Sequence, residues 1–228
     1  MTTDLVSLLA ETSLLRSVPE QDLKAVAAAS RLRSFRRGQV VFTRSDPGDT
    51  VIMIVSGRVK VTVRSADGGE LTLAVIHPGG MLGELGVIDG GPRSADAETL
   101  EECRLLLIPR DTIRDICARV PSAAQALTSS IAATLRRLTE ATADLVFLDL
   151  PRRVAKILLS QPRGDDGVIR PWMSQEELAH QAGSTRQSVN AALRGFERRG
   201  WIEMQDRAVA LRQPDALSRF AGTDVSAS

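Results

Sequence analysis

A chain of 228 residues is longer than one average domain needs and just long enough for two small ones joined by a connecting element. Its 43% hydrophobic and 25% charged residues lie near the globular average, which excludes a disordered or fibrous chain. The net charge of +1 hides an asymmetry: residues 151 to 213 carry 11 Lys and Arg against 7 Asp and Glu, while residues 1 to 150 carry 17 against 19, so a polyanion partner is expected for the last third. No run reaches the roughly 18 apolar residues of a membrane helix, and "MTTDLVSLLA" lacks a basic region ahead of a long apolar segment; a cytoplasmic chain with no membrane partner is expected. Cys103, Cys117, His77 and His180 are too few and too scattered for a disulfide framework or a metal cluster, so no metal is expected.

Asp4 to Ser30 reads as one or two short helices, the second starting at the proline of "PEQDLKAVAAAS" with acids in its first turn. From Val40 to Ile108 the runs "VVF", "VIMIV", "VKVTV", "LTLAVI" and "RLLLI" alternate with turn formers, which predicts an antiparallel β domain. Its clearest hairpin is "RSADGGELTL", turning at Asp67-Gly68-Gly69. After Pro109 the period changes. Apolar or small residues at 127, 131, 134, 138, 141, 145 and 148 form a four-three ladder along one long helix from about Ser122 to Leu148. A seam between two copies explains that ladder, and so does a stripe packed on the chain's own β domain. Pro151 restarts the chain, and "PRGDDGVIRP" reads as a loop.

Beyond it, Ser174 and Glu177 form a capping box that opens a short helix, and Gly183 ends it. Thr185 caps a second helix with Val189, Ala192, Leu193 and Phe196 on one face and Arg186, Gln187, Asn190 and Arg194 on polar positions. This is helix-turn-helix spacing, and "WIEMQDRAVAL" adds two short strands that make the domain winged. The candidate DNA-contacting set is Ser174, Thr185, Arg186, Gln187, Ser188, Asn190 and Arg194, with double-stranded DNA as partner. Arg152, Lys156, Arg198, Arg199 and Arg207 are candidate phosphate contacts or plain surface cations.

One stretch of the β domain has a chemistry of its own: "GELGVIDGGPRSA" sets a glycine-flanked carboxylate nine residues before an arginine. It resembles the phosphate-binding cassette of cyclic-nucleotide-binding domains. "FLDLPRRVAKILL" followed by the winged motif resembles the cyclic-AMP receptor protein and fumarate-nitrate reductase regulator superfamily of bacterial transcription factors, over residues 5 to 213. The chemistry agrees, because a cyclic phosphodiester needs a cation, backbone donors and an acceptor for its ribose hydroxyl. Arg93 can hold the phosphate with two parallel hydrogen bonds, Ser94 adds a donor, Gly83 lets the backbone approach and Glu84 accepts from the 2′-hydroxyl. The resemblance implies a nucleotide site of Gly83, Glu84, Leu85, Arg93, Ser94, Leu138 and Thr139, with cyclic AMP or another cyclic nucleotide such as cyclic GMP as the cofactor.

The fold that follows is α+β: an N-terminal antiparallel, jelly-roll-like β-roll with its helices over residues 1–120, a central dimerisation helix and hinge over 121–149, and a winged helix-turn-helix domain over 150–228. The implied function is a non-enzymatic regulator that acts as a homodimer on an inverted repeat, with RNA polymerase as a further partner if it activates. Ligand binding would move the helix pair and a hinge near residues 149–152. Two departures from the family pattern matter. Leu138 stands where the family places a threonine toward the purine, which implies a weakened preference for adenine and an apo form already able to bind DNA. Gln187 replaces a glutamate and would favour adenine over the cytosine amino group, so the operator is expected to differ at that base pair. Two alternatives stay open: the same fold without a nucleotide requirement or with a different ligand, and a regulatory nucleotide-binding subunit that binds no DNA.

Overall fold

The computed structural model describes residues 2–164, 166–169, 173–205 and 208–222. By contact the chain divides into two compact units, residues 1–63 with 73–138, and residues 64–72 with 139–228. None of the described helices is long and apolar enough to cross a membrane.

The first unit begins with α1 (Thr2–Glu11) and α2 (Glu20–Ala29). Pro19 occupies the cap position of α2, and Glu20 and Asp22 lie in its first turn, where the helix dipole favours acids. There follow β1 (Arg31–Phe35), β2 (Val40–Phe42), β3 (Thr50–Ser56), β4 (Val59–Arg64), β5 (Glu70–Ile76) and β6 (Met81–Leu82). Next come α3 (Leu85–Asp89), β7 (Asp96–Thr99), β8 (Cys103–Pro109) and α4 (Arg110–Arg119). The strands form two four-stranded sheets, ordered β1-β8-β3-β6 and β2-β7-β4-β5. β3 explains why "VIMIV" is apolar without alternation, since both of its faces are covered. Val51 and Met53 join the cluster under the helices, while Ile52 and Ile54 join the cluster between the strands. The hairpin predicted at Asp67-Gly68-Gly69 connects β4 to β5, with Ser65 N donating to Gly69 O at 2.9 Å.

α5 (Pro121–Phe147) continues unbroken across the boundary between Leu138 and Thr139. Its ladder divides into two halves. Leu127 and Ile131 pack into the helical cluster of the first unit, whereas Leu145 is 40% exposed and is followed by Val146 and Phe147 at 69% and 80%. The packing of a stripe on the chain's own unit thus accounts for the first half of the ladder, and the last turn of the helix keeps apolar side chains exposed.

The second unit adds α6 (Leu150–Ser160), β9 (Val168–Ile169), α7 (Gln175–Ala182), α8 (Arg186–Arg198), β10 (Ile202–Gln205), β11 (Ala208–Leu211) and α9 (Pro214–Ala221). The segment read as a loop supplies β9, which pairs with β11 to make a sheet of order β10-β11-β9. Two residues give no usable period, and Val168 and Ile169 become a strand only because β11 offers them an edge and the core buries them. Around Phe196, at 1% exposure, Trp201 stacks at 5.9 Å and Phe220 meets the ring edge-on at 5.8 Å. Replacing Phe196 by alanine is expected to lower the unfolding free energy by about 3–5 kcal/mol, through lost transfer energy and the cavity left behind. Urea denaturation followed by tryptophan fluorescence measures this, and a change below about 1 kcal/mol would show that the aromatic cluster is not the anchor of this unit.

Candidate functional site

Arg93 sits just before β7 and is 7% exposed. Its main chain is fixed twice: Arg93 N donates to Asp46 O at 2.8 Å, and Ser45 N donates to Arg93 O at 2.9 Å. The guanidinium Nη2 donates to Thr50 O at 2.7 Å, and the guanidinium carbon lies 4.3 Å from the centre of the Phe42 ring. Nε and Nη1 are buried with no hydrogen-bond partner among the described residues. Burial lowers the pKa of the group, with Asp49, Asp46 and Glu84 acting in the opposite direction. Gly83 makes room for this arrangement. It takes φ +86°, and a Cβ there would run into Arg93 Nη1 and come within 2.8 Å of Thr50 O.

Beside the guanidinium is a cavity of about 340 Å³, within the size range of small-molecule sites. Gly83, Glu84, Leu85, Arg93 and Ser94 all line it, and α5 closes one side with Leu138. Thr139 does not line it, because a helix turns about 100° per residue and Leu138 already faces the cavity. The remaining wall from α5 consists of the ladder residues Leu127, Ile131 and Thr134, together with Ser130 and Arg137; none of the five was a candidate site residue from sequence. Ser130 and Thr134 stand two turns and one turn before Leu138, the only signal for them, whereas Arg137 is its immediate chain neighbour and had none. Glu84 is pushed up from its ordinary pKa by burial, while a backbone hydrogen bond, Arg137 and Arg93 pull it back. The cavity thus joins a buried cation with unused donors to a desolvated carboxyl group, within walls that are otherwise largely apolar.

In the second unit, the hydroxyls of the helix-turn-helix belong mainly to the fold. Ser174 Oγ accepts from Glu177 N at 3.1 Å, and Ser174 N donates to Glu177 Oε2 at 2.5 Å. Thr185 Oγ1 accepts from Ser188 N at 3.2 Å and shares a hydrogen bond with Ser188 Oγ at 3.0 Å. Gly183, at φ +61°, makes the turn as expected. Exposed along α8 are Arg186, Gln187 and Arg194, with Asn190 half-buried. Arg186 Nε reaches toward Gln175 Oε1 at 3.5 Å. Among the candidate phosphate contacts, Lys156 is already engaged, with Nζ at 2.7 Å from both carboxylate oxygens of Asp144. The Arg199 guanidinium lies 5.0 Å from the ring centre of Trp201. Arg152 and Arg198 are exposed, and Arg207 lies outside the described residues.

Comparison with known proteins matches both halves. The cyclic nucleotide-binding domain family matches residues 32–120, and the Crp-like helix-turn-helix domain family matches residues 152–220. A CRP-like cAMP-activated global transcriptional regulator of Mycobacterium tuberculosis is 36% identical over 220 residues, covering 94% of this chain and 98% of the relative. The chain belongs to the CRP/FNR family of transcriptional regulators. A cyclic AMP receptor protein of Thermus thermophilus is 28% identical over 211 residues, covering 91% of this chain and 96% of that protein. Among solved structures, a CRP-family regulator from Thermus thermophilus superposes with a TM-score of 0.70 at 27% identity, covering 86% of this chain and all of that one. FixK2 of Bradyrhizobium japonicum, at 22% identity and a TM-score of 0.77 over 87% of this chain and 99% of that one, shares the fold. In this CRP/FNR chain, then, the cavity residues from Gly83 to Ser94 lie in a cyclic nucleotide-binding domain and α7 and α8 in a DNA-binding helix-turn-helix.

The raised pKa of Glu84 has a definite sign. The folded state holds that proton more tightly than the unfolded chain, so stability falls as pH rises from the ordinary value of 4.5 through the raised one. Without ligand, Glu84→Gln is expected to melt above the parent at neutral pH, with the difference closing toward pH 4. Scanning calorimetry across that range tests this; a parent that gains on the variant as pH rises would mean that the site stabilises the carboxylate.

Proposed function

We infer that this chain is a cyclic-nucleotide-responsive, sequence-specific DNA-binding regulator that works as a homodimer on an inverted repeat. The observation that carries the reading is Arg93: a buried guanidinium with two unused donors at the wall of a cavity that also holds a desolvated carboxyl group. A buried cation with open donors calls for an anion, and the carboxyl group calls for a hydroxyl partner. A cyclic nucleotide supplies both from one ribose phosphate, and the relatives named as cAMP-activated favour cyclic AMP, with cyclic GMP the other candidate.

Gly83, Glu84, Arg93 and Ser94 would hold the sugar phosphate, and Leu85 and Leu138 would cover the base. The exposed apolar end of α5, with Leu145, Val146 and Phe147, offers a surface for a second copy, which would add the partner's helix beside Thr139. Arg186, Gln187, Asn190 and Arg194 would enter the major groove. Activation requires only that the ligand bind the DNA-competent arrangement more tightly than the other. If the regulator activates, RNA polymerase is its further partner. Leu138 favours a second reading in which DNA binding needs little help from the nucleotide, because a leucine gives the base edge no hydrogen bond.

Calorimetric titration with cyclic AMP and cyclic GMP tests the pocket. Arg93→Ala is expected to lose about a hundredfold or more in affinity, since charge-assisted hydrogen bonds contribute ~1.5–3 kcal/mol each. 2′-Deoxy cyclic AMP should bind the parent less tightly than cyclic AMP but bind Glu84→Ala about as well. No binding by either nucleotide would leave the DNA-binding half standing and turn the search to another ligand.

Selection from random duplex DNA tests the other half. The parent should recover adenine opposite Gln187, and Gln187→Glu should move that position toward cytosine by about 1–3 kcal/mol of discrimination. Unchanged sites from both proteins would remove Gln187 from base reading.

A further inference from the structure

One arginine of the second unit serves neither the cavity nor the groove-facing side of α8. Arg153, in the first turns of α6, is half-buried and directs its guanidinium at the ends of two other helices. Nη1 donates to Leu148 O, just past the end of α5, at 2.7 Å. Nε donates to Ala182 O, the last residue of α7, at 3.0 Å. Carbonyls at helix C-termini lack in-helix partners and carry the negative end of the dipole, so one cation satisfies two of them at once. One turn further along α6, Lys156 binds both oxygens of Asp144 in the last turn of α5, and Asp149 caps α6 by accepting from Arg152 N at 3.0 Å. The end of α5, the start of α6 and the end of α7 are thereby joined at separate points.

Ala182 immediately precedes the Gly183 turn from which α8 departs. The angle at this joint therefore sets where the groove-facing residues point, and any angular error grows along the arm.

We propose that Arg153 is a positioning residue for DNA recognition: it contacts no base, and by tying the end of α7 to the end of α5 it fixes the separation of the two recognition helices of a dimer, and so the half-site spacing that the regulator accepts. This rests on the dimeric DNA-binding reading above. Arginine suits the role because its planar fork addresses two acceptors in fixed directions, whereas a lysine ammonium at this position reaches one.

The test uses the full-length protein and the inverted repeat it recovers from a random duplex pool. The central spacer is lengthened and shortened by up to about 5 base pairs, half a helical turn, and a duplex with a single half-site serves as control. The parent is expected to lose about a hundredfold or more in affinity across the spacer series, as specific contacts in one half-site are forfeited. Arg153→Gln should flatten that profile to about tenfold or less while single-half-site affinity and melting temperature stay close to the parent's, because two half-sites no longer have to be met at one fixed separation. Arg153→Lys should fall between, and it carries the test alone if the glutamine variant does not fold. Variants with the parent's spacing profile, or with equal losses on single and paired half-sites, would overturn the proposal. A parent that bound no repeat at any spacer would fail earlier, at the dimeric DNA-binding reading, and would take the proposal with it.

Discussion

The first unit is organised around a charge that has been taken out of water. A guanidinium is costly to bury unless its donors are met, and only part of that cost is offset here: Thr50 O takes one donor and the Phe42 ring covers one face. Nε and Nη1 of this cavity-lining residue are left buried without a partner among the described residues. Several local features follow from holding Arg93 in that state. Gly83 can have no side chain, the main chain at residues 45 and 46 must grip residue 93 from both directions, and Glu84 is left desolvated nearby. A cyclic phosphate would complete an arrangement that the fold maintains at some expense of stability, as binding sites commonly do.

α5 ties this constraint to the rest of the chain. Its first half is an ordinary amphipathic helix, buried through Ala123 and Leu127 against the N-terminal helices. That packing fixes the rotation of the helix, and the rotation decides that Thr134, Arg137 and Leu138, rather than Thr139, form the cavity wall. The second half keeps its apolar residues on the surface. One uninterrupted helix thus carries both a segment that lines the cavity and a segment whose apolar side chains are exposed.

In the winged domain the division of labour among polar residues is physical. Hydroxyls at helix starts are used to satisfy orphan amides, which is why Ser174, Thr185 and Ser188 are engaged locally. Long side chains beyond the caps reach outward, leaving Arg186, Gln187 and Arg194 exposed. Lys156 and Arg153 show the converse: cations counted toward DNA by composition, or not singled out, are held within the fold by Asp144 and by two helix-end carbonyls.

What the sequence determined by itself was whatever is written within a turn or two of chain. The capping box at Ser174, the glycine turn at 183, the apolar run of β3, the hairpin after Arg64 and the nine-residue spacing from Glu84 to Arg93 are local, and each was legible in the residues. What only the tertiary structure decided depends on elements far apart in the chain. Thr134 and Arg137 join the cavity because Leu127 and Ile131 set the roll of α5, and Val168 and Ile169 become a strand because β11 provides an edge. Arg153 bridges Leu148 and Ala182 because α6 packs between them. Periodicity and capping act between near neighbours, whereas burial and register are settled by packing over the whole unit, and no single stretch of sequence carries that information.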